Sequence, residues 1–198
     1  MKQSGKNDRR IRKTRAQLRA GLASLMNEKS IKEITVKELV DKVDINRSTF
    51  YLHYTDIYHM MECIESELLQ EITEAIKTIP VDPTTGDSYP FITRMFSILE
   101  ENRDICYALL GPNGDMAFVT KIETMIADTV FSHLEGKFSK NSPDVTYAYG
   151  FCLTGCVGMV KAWLSKEDHI SPQHMAQLTY QLVENTAHYY LEKLKTSL

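Results

Sequence analysis

The sequence predicts an all-α protein of about nine helices, with a small three-helix head at the N-terminus and a larger helical body behind it. Three observations lead there. Apolar residues recur at three- and four-residue spacing through nearly every segment, and none alternates with the period of two that marks a strand. Breaks at proline, glycine and asparagine divide the chain into those segments. Two of the segments are very short and adjoin across a turn, in Ile34 to Tyr54, ITVKELVDKVDINRSTFYLHY.

The helices can be taken in order. Residues 9–28 predict the first, with Ile11, Leu18, Leu22 and Leu25 as its inward stripe. In the next, Thr35 is placed to cap through its hydroxyl and Glu38 to reach back to the free amides, a reciprocal capping box. Val36, Leu39, Val40 and Val43 then make one face apolar, opposite Lys37, Asp41 and Lys42. Asp44 stands where the chain must turn, and aspartate tolerates a left-handed backbone better than most residues. Asn46 suits the N-cap of a third helix, whose Phe50 and Tyr54 point back to Leu39 and Val43. Its other side shows Arg47, Ser48, Thr49, Tyr51 and His53, side chains able to reach phosphates or base edges.

Residues 56–78 predict a long helix carrying Met60, Met61, Ile64, Leu68, Ile72 and Ile76. Amphipathic segments follow at about 88–101, 103–110, 115–138, 143–166 and 171–195. The expected division is a head over 1–55 and a body over 56–198.

That helix-turn-helix resembles the DNA-binding signature of the TetR/AcrR family of one-component repressors. The match runs through Thr35, Val36, Glu38, Leu39, Val43, Ile45, Asn46, Thr49, Phe50, Tyr51, His53 and Tyr54 with nothing inserted or missing. The resemblance implies that Arg47 and Ser48 face bases while Thr49, Tyr51 and His53 hold phosphates. Departures are Asp44 for a common glycine and Tyr54 for a common phenylalanine, both mild. A third is Ile57, where many members place a lysine that touches phosphate, so that contact is not carried over.

Charge favours DNA over an ordinary helical corner. Residues 1–55 hold thirteen Lys or Arg against six Asp or Glu, a balance of +7, whereas residues 56–198 hold ten against twenty, or -10; together they make the net -3 of the chain. A basic head on an acidic body is the asymmetry expected when one end meets a polyanion. A basic run such as Lys2, Lys6, Arg9, Arg10, Arg12, Lys13 and Arg15 is by itself most often a solvated tail. Beside a helix-turn-helix it adds phosphate or minor-groove contacts. The expected DNA-contacting set is therefore Thr35, Asn46, Arg47, Ser48, Thr49, Tyr51 and His53 with Arg9, Arg10, Arg12 and Lys13.

The body carries two further expectations. Tyr147 to Trp163 places Gly150, Gly155 and Gly158 inside one helix, at about 1 kcal/mol each relative to alanine, which close approach of another helix would offset. Helix-turn-helix proteins of this type read two-fold half-sites, and the resemblance implies a homodimer through the last two helices. Gly150, Gly155, Gly158, Trp163, Leu178 and Leu182 are the expected interface. The second is a pocket for a small apolar ligand, implied by the resemblance and lined by Met60, Met61, Phe91, Met95, Phe96, Tyr107, Phe118, Met125 and Phe151. A ligand there would swing the helix over 56–78 and spoil docking on a palindromic operator whose half-sites lie about 34 Å apart per turn.

Enzymatic function is excluded by the lack of a nucleophile elbow, phosphate loop, metal-spaced cluster or acid pair; no metal or cofactor is expected. Cys152 and Cys156 share a helix face without a completing ligand and read as small apolar residues. Four cysteines, no apolar run of eighteen and no secretory leader point to a soluble, cytoplasmic protein. The function expected is a dimeric repressor released from its operator by a ligand. A co-regulator acting through a protein partner is the alternative.

Overall fold

The computed structural model describes residues 2–78, 89–134, 143–165 and 170–196. They form nine α-helices and one 3-10 turn, with no strand among the described residues. The helices are α1 (Lys2–Glu28), α2 (Val36–Lys42), α3 (Arg47–Tyr51), α4 (Ile57–Thr78), α5 (Tyr89–Glu101), α6 (Arg103–Leu110), α7 (Met116–Leu134), α8 (Pro143–Ser165) and α9 (Pro172–Thr196), with the 3-10 helix Ile31–Glu33 between α1 and α2.

Local chemistry explains most of these boundaries. Asp56 accepts from the His59 amide at 2.8 Å to start α4, Asp115 from the Ala117 amide at 2.7 Å to start α7, and Ser171 from the His174 amide at 3.2 Å to start α9. Prolines 143 and 172 occupy first helical positions, where no amide is needed. Helix α1 begins at Lys2 rather than Arg9, because no proline interrupts the basic run and its lysines and glutamine favour helix.

The chain forms two compact units, and they do not meet at residue 55. The first comprises residues 1–70 and 102–119, the second residues 71–101 and 120–198. In the first unit α6 packs along α1. The first unit buries Leu18, Leu22, Leu25 and Met26 of α1 against a core that includes Leu39, Phe50, Met60, Ile64, Ile105 and Leu109. Ile11, expected in the α1 stripe, is 38% exposed; residues 9–13 are exposed on every side of the helix, and full burial begins at Leu18. Helix α1 comes close to α2 at Gly21, where an added Cβ would lie 2.3 Å from a Val43 methyl. At the far end of α1, Asn113 Nδ2 donates to the Met26 carbonyl at 3.1 Å, satisfying a last-turn acceptor from the α6–α7 loop.

In the second unit α9 packs on α5 and on α8. Trp163 is buried, edge-on to Phe96 at 5.3 Å, and its indole donates to the Ile170 carbonyl at 2.8 Å, joining the end of α8 to the approach to α9. No helix among the described residues is long and apolar enough to cross a membrane.

Candidate nucleic-acid interface

The helix-turn-helix is assembled by caps. Thr35 Oγ1 accepts from the Glu38 amide at 3.2 Å, starting α2 at Val36. The reciprocal half expected of Glu38 is absent: its carboxylate takes the Lys29 ammonium at 2.5 Å, and that hydrogen bond holds its pKa below the usual carboxylate range. The complete capping box lies five residues earlier, on the 3-10 turn, where Ser30 accepts from the backbone and Glu33 accepts from the Ser30 amide at 3.2 Å. Asp44 adopts φ 53°, the left-handed turn expected of it. Asn46 then caps α3, its Oδ1 accepting from the Ser48 amide at 2.9 Å and the Ser48 hydroxyl at 2.8 Å.

Helix α3 is anchored from beneath by Phe50, which is wholly buried, and presents Arg47 and Ser48 to solvent with Tyr51 48% exposed. Thr49 and His53 are half-buried. Of the expected set, Arg47, Ser48, Thr49 and Tyr51 share this short helix, with His53 just beyond its end. Thr35 and Asn46 spend their side-chain oxygens on caps. Arg9, Arg10, Arg12 and Lys13 are exposed on α1.

Four side chains, Ile57, Tyr58, Arg15 and Tyr54, have surroundings that the sequence did not announce. Ile57 is 4% exposed, so the position of the missing lysine is a core position here. Beside it Tyr58 is 53% exposed on the first turn of α4. Arg15, read as part of the basic arm, is turned inward: its Nε donates to Tyr54 Oη at 3.1 Å, its Cζ lies 5.9 Å from the Tyr54 ring centre, and it ion-pairs with Glu67. The hydrogen bond it donates to Tyr54 raises the guanidinium pKa further. Tyr54 is thus not a mild stand-in for phenylalanine, since its hydroxyl joins α1 to the end of the recognition segment. Tyr54→Phe is expected to lower stability by about 1 kcal/mol in urea unfolding, the net worth of one part-exposed hydrogen bond. An unchanged midpoint would refute that role.

The expected pocket residues fall in both units. Met60, Met61, Tyr107 and Phe118 belong to the first unit; Phe91, Met95, Phe96, Met125 and Phe151 belong to the second. Met60, Met61, Phe91, Phe96 and Phe118 are buried, Met95 and Met125 half-buried, while Tyr107 is 40% and Phe151 73% exposed. In the second unit Thr73 Oγ1 lies 3.4 Å from Met125 Sδ. Of the expected interface, Trp163 lies in the interior of its own unit, whereas Leu178 and Leu182 are exposed at 38% and 53%. Gly150, Gly155 and Gly158 have open space where a Cβ would stand, so crowding among the described residues does not account for them. All four cysteines are free thiols, and burial, then Cys152, pushes the Cys156 thiol pKa up. No group of three or more His, Cys, Asp or Glu side chains suited to a metal ion occurs among the described residues.

Residues 86–185 match the TetR-class family described as "Transcriptional regulator C-terminal region". The chain belongs to the TetR family of transcriptional regulators. These are regulators that bind DNA, not enzymes. An uncharacterized helix-turn-helix transcriptional regulator of Bacillus subtilis (strain 168), YxbF, is 20% identical over 183 residues, covering 89% of this chain. The chain spans 46% of the length of that relative. Among solved structures, a TetR transcriptional regulator from Streptococcus agalactiae 2603V aligns over 91% of this chain and 98% of its own, with a TM-score of 0.54 at 20% identity. A TetR-family regulator from Streptomyces coelicolor aligns over 94% and 83%, with a TM-score of 0.62 at 19% identity. At such identities these two structures speak for the fold alone.

Proposed function

We propose that the chain works as a homodimeric repressor that reads a palindromic operator through α3 and leaves it when a small molecule binds. The observation that carries the reading is the recognition helix itself: capped by Asn46, anchored by buried Phe50, and turning Arg47, Ser48 and Tyr51 outward on the same unit as an exposed basic helix.

Dimerisation is supported by the outward face of α8 and α9. Tyr147 (79% exposed) and Phe151 stand with Gly155 and Gly158 on one side of α8, and Leu178 and Leu182 are bare on α9. Phe151 thereby moves from the expected pocket lining to the proposed interface. Small residues flanked by exposed large ones suit the close approach of a second helix pair. Control by a small molecule is supported by family membership and by half-buried methionines such as Met95 and Met125 in the second unit, whose deformable side chains suit an adaptable site. Such a ligand acts only as far as it prefers the DNA-free state.

Selection of random duplex DNA on the purified protein tests the first half: a palindrome with half-sites whole turns apart is the expected product. Replacing both Gly155 and Gly158 by leucine tests the interface. Among the described residues nothing stands within 4 Å of a Cβ added at either position. The variant is therefore expected to remain helical yet sediment as a monomer and lose the palindrome. A variant that stays dimeric would remove α8 from the interface, and selection that returns no motif would favour action through a protein partner.

A further inference from the structure

Arg47 and Tyr51 lie one turn apart on α3 and engage each other in two ways. Arg47 Nη2 donates to Tyr51 Oη at 3.0 Å and Nε at 3.3 Å, while Arg47 Cζ sits 5.6 Å from the centre of the Tyr51 ring. The tyrosine is itself fixed, its ring edge-on at 5.5 Å and 85° to Phe50, the fully buried anchor of the helix. A solvated arginine ordinarily samples many rotamers. This one is braced by a partner that is in turn braced by the core.

The arrangement determines which donors remain. A guanidinium has five N–H groups in a fixed plane. The lateral pair, Nε–H and one hydrogen of Nη2, faces the Tyr51 oxygen. The terminal edge, formed by Nη1 and the other Nη2 hydrogen, stays free and offers two parallel donors. In the major groove guanine alone presents two adjacent acceptors, N7 and O6, whereas adenine pairs an acceptor with a donor.

Resting on the proposed DNA-reading function, we infer that Tyr51 is a positioning residue for Arg47, and that the two act as a unit selecting a guanine in each half-site. This differs from a role in which the Tyr51 hydroxyl simply holds a phosphate. Phosphate contacts orient the protein without carrying sequence information, so their loss weakens every duplex alike. Loss of aim weakens only the duplex that carries the guanine.

The test uses the full chain as wild type, Tyr51→Phe and Arg47→Ala. Both positions are exposed, and Tyr51→Phe keeps the ring against Phe50; circular dichroism confirms the fold. Each protein is titrated against the selected operator, against the same operator with each guanine in turn replaced by 7-deazaguanine, which lacks N7, and against adenine substitutions. One symmetry-related guanine pair is expected to cost wild type between about 5-fold and about 100-fold when altered. Arg47→Ala should abolish that penalty, and Tyr51→Phe should shrink it by about 3- to 10-fold, costing the intact operator more affinity than the guanine-altered duplexes. A uniform weakening by Tyr51→Phe across all duplexes, or no change at all, would overturn the positioning role and leave sequence-specific DNA binding intact. A penalty that survives Arg47→Ala would likewise overturn the pair alone. Failure of wild type to select any motif would overturn the inference together with the DNA reading beneath it.

Discussion

Phe50→Ala is expected to destabilise the first unit by about 3–5 kcal/mol, the largest effect of any single substitution in the recognition helix. The side chain is wholly buried, and both Tyr51 and Tyr54 rest against its ring, at 5.5 Å and 5.7 Å between centres. Truncation leaves a cavity beneath a five-residue helix that cannot persist on its own propensity, because isolated helices need some twelve or more residues to be even marginal. The cost should therefore appear twice, as a lower unfolding midpoint and as lost operator binding. The protein carries its own control. Trp163, the one tryptophan, lies in the second unit, so its fluorescence follows that unit while circular dichroism follows both. An unfolding curve within 1 kcal/mol of wild type would mean that Phe50 is not the anchor described.

Replacing Arg9, Arg10, Arg12 and Lys13 together with alanine is expected to weaken DNA binding on the order of a hundredfold to a thousandfold near physiological salt. The slope of log K against log salt should fall by up to about 3.6 per subunit, or about 7.2 for the dimer, roughly 0.9 for each phosphate no longer neutralised. Alanine is the best helix former, so the exposed stretch of α1 keeps its conformation. Base preference should survive, because these side chains stand outside α3. An unchanged salt slope would detach the arm from the DNA.

How much of this was legible beforehand depends on the separation of the partners. Helix positions followed from local signals: most expected ends fell within one or two residues because Asp56, Asp115, Pro143, Ser171 and Pro172 act on their immediate neighbours. The left-handed Asp44 was legible for the same reason. Where two local signals competed, pattern alone misled. Ser30 with Glu33 and Thr35 with Glu38 have the same spacing, but Lys29 claims the second glutamate and leaves only the first box complete. Arg15 was counted as DNA-facing charge because its actual partners, Tyr54 and Glu67, lie 39 and 52 residues away. The packing of α6 beside α1 was not legible for the same cause, since nothing local announces it. Trp163, expected at the dimer interface, has Phe96 of another helix against it, a partner 67 residues away that no local signal announces.

The hydrogen bond from Asn113 to the Met26 carbonyl spans 87 residues, and α6 lies along α1 on the same unit. The DNA-reading head is therefore not a segment that can be cut out at a single point. A fragment ending near residue 70 would retain α1 to α3 but leave bare the α1 surface that α6 covers. Synthesis meets the same constraint. A ribosome releases the recognition helix early, but the surroundings of α1 are complete only after residue 119 has emerged, so the nascent head waits with exposed apolar surface while more than forty further residues are made. The unit that carries the recognition helix closes only once α6 has been made.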